Sequence, residues 1–268
     1  MPPLSVALAF SVQSGYNGIV RRFESGIAIS ISRGASGVAL GDLSELARRL
    51  ETVGSEALFV SADRDLEPIT AISSLARHSA IVLGAVVSTA TRRSAAIVAK
   101  RATTFALLAP RRAVLVFRDE DAVADPLVLE ESVGVASTLS GAGPLDFAGT
   151  TVRLLGAFNE PRPDPADALV IGAWTARPTA ALYDRADLVI SGSHPTPARD
   201  VRADGVRALG AGDLDALESG WLPTLVEVAG GDLDEIVEVA ARTAGLARAH
   251  LDADARDYGS EPPSSSAW

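Results

Sequence analysis

The stretch from Ala57 to Phe117 constrains the fold more than any other part of the sequence. It contains three short apolar runs, at residues 57–60, 80–87 and 113–117. The middle run shows no alternation of apolar and polar residues, which is typical of a strand covered on both faces, as in a parallel sheet. Because helical patterns separate the three runs, the strands must pair in parallel through right-handed crossovers. The stretch therefore predicts an α/β fold.

Two segments between these runs carry the helical pattern. Pro68 fits the first helical position of one of them, since its missing N–H would be unpaired there anyway. Arg77 and His78 suit the end of that helix, where a cation complements the helix dipole. The second helix is predicted over Ser94 to Leu108, where apolar residues recur every three or four positions.

The order of residue types in this stretch is also specific. The matching positions are, in chain order, Asp63, Arg64, Ile81, Leu83, Gly84, Ala85, Val87, Arg92 to Ser94, Ala99, Lys100, Thr103 to Ala106, and Arg111 or Arg112. This order resembles the luciferase-like superfamily of flavin-dependent monooxygenases and deazaflavin-dependent oxidoreductases. There an acid-His pair ends one strand, the next strand reads I-x-L-G-T-x-V, and an A-K-x-x-A-T-L-D helix follows. The resemblance implies a TIM-type (β/α)8 barrel.

Four positions depart from the family pattern. Arg64 replaces the His, Ser94 replaces a Pro, and Ala106 replaces the Asp of the helix. The segment 117–119 stands where the family usually has a glycine-rich strand end. Several of these positions border the active-site mouth in the family, so the departures concern the chemistry more than the fold.

Two apolar runs, 4–12 and 26–32, compete for the first barrel strand. We assign residues 4–10 to the barrel and leave the run 26–32 as a partner strand or an insert. A helix follows, with Asp42 as its N-cap and Glu45 completing a capping box. Its predicted buried face and its end are formed by Leu43, Leu46, Ala47, Leu50, Val53 and Gly54.

The pattern is weaker beyond the third run. Further elements are predicted as a helix over 126–139, strands over 169–173, 188–190 and 225–228, and a last helix that begins at Asp232. Residues 1–251 are predicted to form a single barrel domain, and the polar stretch 252–268 a disordered tail. Only one clear strand is predicted after Ile190, which is few for the last part of an eight-stranded barrel. The barrel is therefore either complete or, if a strand is missing, truncated in its C-terminal part. In the truncated case a symmetric mate would supply the missing strand, and the chain would be a homodimer.

Composition limits the classes of function. The 268 residues, 47% of them hydrophobic, suffice for one barrel of about 250 residues. The net charge of -10 argues against a nucleic-acid partner, which needs a basic face. The absence of cysteine excludes disulfides and thiolate sites, and three scattered histidines argue against a metal centre. The apolar N-terminal run has no basic leader and is shorter than the roughly 20 residues of a membrane span. A cytoplasmic location without membrane contact is expected.

Ligands of such barrels bind where the strands end and the following loops gather. The segment 172–177 is the most cofactor-like of these places, because Gly172 lets the backbone approach a phosphate, Thr175 offers a hydroxyl and Arg177 supplies charge. In the superfamily this loop often helps to hold the flavin phosphate. The alternative is an ordinary turn with a surface arginine. His194 lies on another predicted strand-end loop and is the candidate catalytic residue.

The resemblance adds further candidate cofactor contacts, namely Asp63, Arg64, Ala85, Val86 and Trp174. Asp63 and Arg64 would line the mouth, with the arginine as an anion anchor where the family often keeps a His. The alternative is a solvated ion pair of little energetic value.

Several common chemistries lack their motifs. The sequence contains no Ser-His-Asp order, Walker loop, G-x-G-x-x-G after a strand or H-E-x-x-H helix, so hydrolase and kinase functions have no support. The resemblance implies an oxidoreductase or monooxygenase that binds FMN or a deazaflavin and acts on a small organic substrate. A cofactor of this kind performs the chemistry, so few catalytic side chains are needed. The alternative is a degenerate, non-catalytic paralogue that serves as a ligand-binding or partner subunit.

Overall fold

The structure is a computed structural model that describes residues 25–31, 38–62, 67–89, 94–119, 125–140, 145–157, 169–192, 206–210, 224–228 and 232–259. The strands are β1 (Ser25–Ile31), β2 (Ala57–Ala62), β3 (Val82–Ser88), β4 (Ala113–Arg118), β5 (Leu145–Ala148), β6 (Arg153–Ala157), β7 (Val170–Thr175), β8 (Leu188–Gly192), β9 (Val206–Gly210) and β10 (Thr224–Val228). The α-helices are α1 (Leu43–Val53), α2 (Pro68–Ser73), α3 (Ala95–Leu108), α4 (Pro126–Ser140), α5 (Ala180–Arg185) and α6 (Leu233–Gly259). Elements predicted between residues 57 and 118 therefore form as expected.

Eight of the strands close into a parallel barrel. Their order around the ring is β1, β10, β9, β8, β7, β4, β3 and β2, and each neighbouring pair is parallel. The predicted TIM-type barrel is thereby confirmed. Because one chain supplies all eight strands, closure does not require a strand from a second copy. Strands β5 and β6 form a separate antiparallel hairpin.

The position of β1 corrects one prediction. The run 26–32, which we left as a partner strand or an insert, falls in β1, the barrel strand between β2 and β10. Packing explains this position: Ile27 and Ile29 are buried, and a Cβ at Gly26 would lie 2.8 Å from the Cβ of Ala57. The strands can approach so closely only because residue 26 is a glycine. The other candidate, residues 4–10, lies outside the described residues.

The C-terminal part contains more regular structure than predicted. Strand β9 lies between β8 and β10, although its sequence, V-R-A-L-G, has no continuous apolar run. Helix α6 continues to Gly259, so residues 252–259 are helical and not part of a tail. These residues follow a helix that has already formed, and adding a residue to a helix costs less than starting one. Residues 260–268 lie outside the described residues.

Buried side chains form two layers on opposite faces of the barrel strands. The inner layer contains Ala28, Ala57, Phe59, Val82, Val86, Val114, Val116, Trp174, Ile190 and Leu225. The outer layer lies between the strands and the helices and includes Leu46, Leu50, Ile72, Leu83 and Phe105. Neighbouring residues of a strand point to opposite faces, so each strand contributes to both layers.

The Phe59 ring fills the inner layer where Gly84 leaves space. The two residues are partners in the β2–β3 register, and Phe59 is fully buried. A Cβ at Gly84 would lie 2.3 Å from Cδ1 of the ring. The absence of a side chain at residue 84 is therefore a packing requirement of the barrel interior.

Predictions about the helix ends are partly confirmed. Gly54 ends α1 with a φ of 86° and donates its N–H to carbonyl groups of the last turn. Asp232 accepts N–H groups of the first turn of α6. The capping box at α1 is wrong, because Asp42 has helical backbone angles and makes no side-chain cap. A capping residue needs an extended backbone, and Glu45 instead binds Arg48 at 2.7 Å.

One buried carboxylate fastens the β5–β6 hairpin to α4. Glu131 accepts hydrogen bonds from the backbone N–H groups of Thr150, Thr151 and Val152 and from the Thr151 hydroxyl. Burial raises the pKa of Glu131, but these hydrogen bonds outweigh burial and hold the pKa below its usual value. A Cβ at Gly149 would overlap the carboxylate, at 2.4 Å from Cδ. The hairpin can therefore lie directly on the helix.

Candidate active site

The inner layer becomes polar at the carboxyl ends of the strands. Side chains two residues apart lie on the same face of a strand. Two residues beyond Phe59, Val86, Val116 and Leu225 come Ser61, Ser88, Arg118 and Glu227. Together with Trp174 of β7, these four residues form the mouth cluster. Because ligands of eight-stranded α/β barrels bind at this end, the mouth cluster is the candidate site.

An ion pair crosses the centre of the mouth. Nη1 of Arg118 lies 2.5 Å from Oε1 of Glu227, and Nη2 donates to Oε2 at 3.2 Å. Strands β4 and β10 are four positions apart in either direction around the ring. The pair therefore connects opposite walls of the barrel. The side chains remain 19% and 31% exposed, so solvent reaches both charged groups.

The indole of Trp174 supports the guanidinium of Arg118. Cζ of Arg118 lies 4.4 Å from the centroid of the indole ring. The two residues are register partners on β4 and β7, and Trp174 is only 2% exposed. Cation–π contacts that are only partly shielded from solvent stabilise by about 0.5–2 kcal/mol. Arg118 thus covers the tryptophan and forms the floor of the mouth.

Backbone hydrogen bonds fix the ends of the strands that carry this floor. The carbonyl of Arg118 accepts the N–H of Thr89 at 2.9 Å and the hydroxyl of Thr89 at 3.2 Å. The N–H of Asp119 donates to the carbonyl of Trp174 at 3.0 Å. The carboxyl ends of β3, β4 and β7 are therefore joined beyond the regular sheet ladder, and the floor is held in place without a ligand.

Two of the predicted cofactor contacts face the barrel interior. Trp174 belongs to the mouth cluster, and Val86 lies in the inner layer just below it. Ala85 and Thr175 point to the opposite face. Ala85 packs in the outer layer, and the buried Thr175 hydroxyl accepts the backbone N–H of Arg177 at 3.2 Å.

The segment 172–177 is mostly strand. Gly172 lies inside β7, where a Cβ would be 3.2 Å from both Cγ2 of Val116 and the carbonyl oxygen of Leu188. Its glycine therefore permits close packing in the barrel interior and does not form a loop. Arg177 is exposed beyond the carboxyl end of β7. The role of Gly172, Thr175 and Arg177 in holding a phosphate stays a prediction.

The other predicted site residues, Asp63, Arg64 and His194, lie outside the described residues. Their assignment as cofactor contacts and as the catalytic histidine remains a prediction. Among the residues that the structure describes, no group of three or more potential metal ligands comes together. No described helix is long and apolar enough to cross a membrane.

Asp187 is a titratable group far from the mouth. It lies between β7 and β8 near their amino ends, where its carboxylate accepts the N–H of Ile171 at 2.9 Å and its own N–H donates to the carbonyl of Ile171. Burial raises the pKa of Asp187, and the hydrogen bond from Ile171 opposes this only in part. The group therefore affects stability at this end of the barrel.

Comparison with solved structures gives consistent matches. An F420-dependent secondary alcohol dehydrogenase in complex with an F420-acetone adduct shares 11% identity over 82% of this chain and 98% of its own, with a TM-score of 0.61. The monooxygenase RslO1 from Streptomyces bottropensis shares 12% identity over 81% of this chain and 95% of its own, with a TM-score of 0.58. A coenzyme F420-dependent tetrahydromethanopterin reductase from Methanopyrus kandleri shares 13% identity over 84% of this chain and 62% of its own, with a TM-score of 0.53. No protein-family model and no curated protein matches the sequence.

These matches cover most of the barrel. The chain has the same barrel fold as these proteins. Identities of 11 to 13% establish this fold and leave the chemistry to the residues of the site. In this barrel the mouth cluster occupies the end of the strands at which barrel enzymes bind their ligands.

Sequence reasoning missed Arg118 and Glu227. Both residues nevertheless carry a signal in the sequence. Arg118 lies in the segment 117–119, which departs from the family pattern, and Glu227 is the charged residue in the run L-V-E-V of β10. A charge at an inward position of a barrel strand is costly unless it is paired. Such a position is therefore a reason to look for a partner at the mouth.

Proposed function

We propose that this protein binds a flavin or deazaflavin at the barrel mouth and acts as an oxidoreductase on a small organic molecule. The mouth cluster carries this proposal: a guanidinium, a carboxylate and two hydroxyls lie at the ligand-binding end of a luciferase-like barrel. The F420-dependent alcohol dehydrogenase and the monooxygenase RslO1 have the same fold over about four fifths of the chain. Oxidation, reduction and oxygenation are therefore the reaction classes that we consider first.

The residues of the mouth fit the ring system of such a cofactor. Its pyrimidine edge carries carbonyl oxygens and ring nitrogens, which suit the hydroxyls of Ser61 and Ser88. The hydroxyl of Ser61 donates to the backbone carbonyl of Ile29 at 3.2 Å, so it would accept from a ring N–H. The buried indole of Trp174 and the inner layer beneath it exclude water from below. Arg177, exposed beside the mouth, supplies charge for a phosphate group of the cofactor tail. When bound, the cofactor supplies the hydride transfer or oxygen chemistry.

A second candidate is a non-catalytic paralogue that binds a ligand or serves as a partner subunit. Two observations favour it. The hydroxyl of Thr175 accepts the backbone N–H of Arg177, and Gly172 lies within a closely packed strand. In addition, the charge of Arg118 is already balanced by Glu227. Binding with no turnover of alcohols, aldehydes or other small substrates would select this candidate.

The test is direct titration of the purified chain with FMN and F420, each in the oxidised and the reduced form. We expect at least one form to bind with micromolar affinity, as measured by the absorption spectrum of the cofactor and by calorimetry. Ser88→Phe places a ring at the mouth and should abolish binding. Ser44→Phe adds the same bulk on the exposed face of α1 and should leave binding unchanged. Failure of the unmodified chain to bind any of the four forms would refute the proposal.

The state of assembly is tested separately. The homodimer stays a prediction, because the closed barrel lacks no strand and so removes the reason for which the sequence pattern predicted it. Sedimentation equilibrium over a hundredfold range of concentration distinguishes a dimer from a stable monomer. A mass near 27.6 kDa throughout would contradict the dimer.

A further inference from the structure

We propose that Arg118 and Glu227 form a flat platform on which the ring of the bound ligand stacks, and that the planar guanidinium of Arg118 determines ring binding. This inference rests on the proposed function and names how the site recognises its ligand. The ligand class is a planar, fused heteroaromatic ring, and the recognition is by stacking on an ion pair.

The position of the pair leads to this assignment. Trp174 lies on one face of the guanidinium, at 4.4 Å from ring centroid to Cζ, and is itself buried. The guanidinium and the carboxylate are joined by two hydrogen bonds, the bidentate arrangement that favours a common plane. Solvent reaches 19% of the Arg118 side chain and 31% of the Glu227 side chain. A ring that enters the mouth therefore meets the ion pair first, and the tryptophan lies one layer below.

The fold itself gives little reason for an ion pair at this position. Partly exposed pairs contribute little to stability, and an apolar pair of similar size usually replaces a buried one without loss. The described side chains of the inner layer below the mouth cluster are apolar. Arg118 is held from two sides, by the indole of Trp174 on one face and by Glu227 at its N–H groups. A rigid charged plane at the open end of an apolar interior is suited to binding a ligand.

Planarity distinguishes this platform from a simple charge. A guanidinium is flat, stacks on π-systems and binds a carboxylate through two N–H groups. A lysine ammonium at residue 118 would keep the charge and the attraction to Glu227, but it would offer no flat face on either side. The substitution Arg118→Lys therefore removes the platform and preserves the net charge of the mouth.

The test uses lumiflavin, FMN and F420 as probes. Lumiflavin is a flavin ring without a phosphate, so its binding reports on the ring alone. We expect Arg118→Lys to weaken lumiflavin binding about tenfold or more, as measured by calorimetry and by the absorption shift of the ring. Arg101→Lys, the same substitution on the exposed face of α3, should bind as the unmodified chain does. Melting curves of each variant show whether the barrel is intact.

Each outcome decides the inference. If the unmodified chain binds the probes and Arg118→Lys binds them within twofold, the platform is wrong and the proposed function stands. If the unmodified chain binds none of the probes, both are wrong. If Arg118→Lys does not fold, the variant Glu227→Gln is used instead. The glutamine keeps the shape of the pair and weakens the hydrogen bonds that hold the two groups in one plane. Lumiflavin binding by Glu227→Gln should weaken about threefold or more, and equal binding would overturn the platform.

Discussion

The contact between Gly84 and Phe59 gives the sharpest test of the barrel interior. In Gly84→Ala the new Cβ would lie 2.3 Å from Cδ1, 2.5 Å from Cε1 and 2.6 Å from Cγ of the ring. Carbon atoms in contact prefer a separation of about 3.5–4.0 Å, so the ring or the strand must move by about 1 Å or more. Because Phe59 is fully buried in the inner layer, it has no solvent space into which to move.

The magnitude follows from two opposing effects. Overpacking a close-packed core costs about 1–3 kcal/mol, and a rigid ring beside a strand backbone belongs at the upper end of this range. Replacing glycine by alanine restricts the unfolded chain and stabilises the fold by about 0.5–1 kcal/mol. The expected net loss is about 2 kcal/mol, which corresponds to a fall in melting temperature of about 4–8 °C for a chain of this size.

The assay is urea unfolding followed by circular dichroism, with two further variants. In Gly41→Ala the new Cβ has no atom within 4 Å, so its stability should stay within about 0.5 kcal/mol of the original. Phe59→Leu removes the ring with which the new Cβ collides. The free energy of unfolding of the double variant with Gly84→Ala should therefore be about 1–2 kcal/mol higher than the two single effects added together predict. A Gly84→Ala protein as stable as Gly41→Ala, or additive single effects, would show that the ring does not occupy this space.

Three further predictions concern the rest of the fold. Glu131→Gln should lower the free energy of unfolding at pH 7 by about 1–2 kcal/mol, because the charged acceptor of several hydrogen bonds is lost. Since the folded-state pKa of Glu131 is lowered, this difference should shrink as the pH falls through that pKa in a series of acid melts. Asp187→Asn should stabilise the protein at pH 7. The folded-state pKa of Asp187 is raised, so the original protein loses stability as the pH rises through that pKa, whereas the uncharged asparagine does not. The difference in stability between the two proteins should therefore vanish below about pH 3.9, where Asp187 is protonated in both the folded and the unfolded state. Gly54→Ala should cost about 1 kcal/mol in urea unfolding, because its φ of 86° is strained for alanine, and an unchanged midpoint would contradict the left-handed end of α1.

Local patterns predicted the elements between residues 57 and 118 correctly. An unbroken apolar run identifies β3, and apolar residues at helical spacing identify α3, because both signals depend only on neighbours in sequence. The same reasoning left the run at 26–32 outside the barrel, since this run is apolar whether it forms an insert or a barrel strand. Its place between β2 and β10 is fixed by register partners 31 and 199 residues away.

The candidate site likewise contains residues whose position local patterns predict and residues whose position they do not predict. Trp174 was predicted as a contact, and its inward position follows from the strand period. Thr175, its neighbour, was assigned to the same site, although the alternation of side chains sends it to the outer face. Arg118 and Glu227 are 109 residues apart, and no local rule pairs them. Their contact exists only because ring closure brings opposite strands within the length of two side chains.

Between residues 57 and 118 the sequence by itself determined which segments are strands and which are helices, and that the strands run parallel. It could do so because the period of apolar residues and the handedness of crossovers are local properties. The tertiary structure decided which strand closes the ring, which residues of each strand face the mouth, and that an arginine and a glutamate meet over Trp174. Those outcomes depend on register around a closed barrel, which is set by all eight strands together.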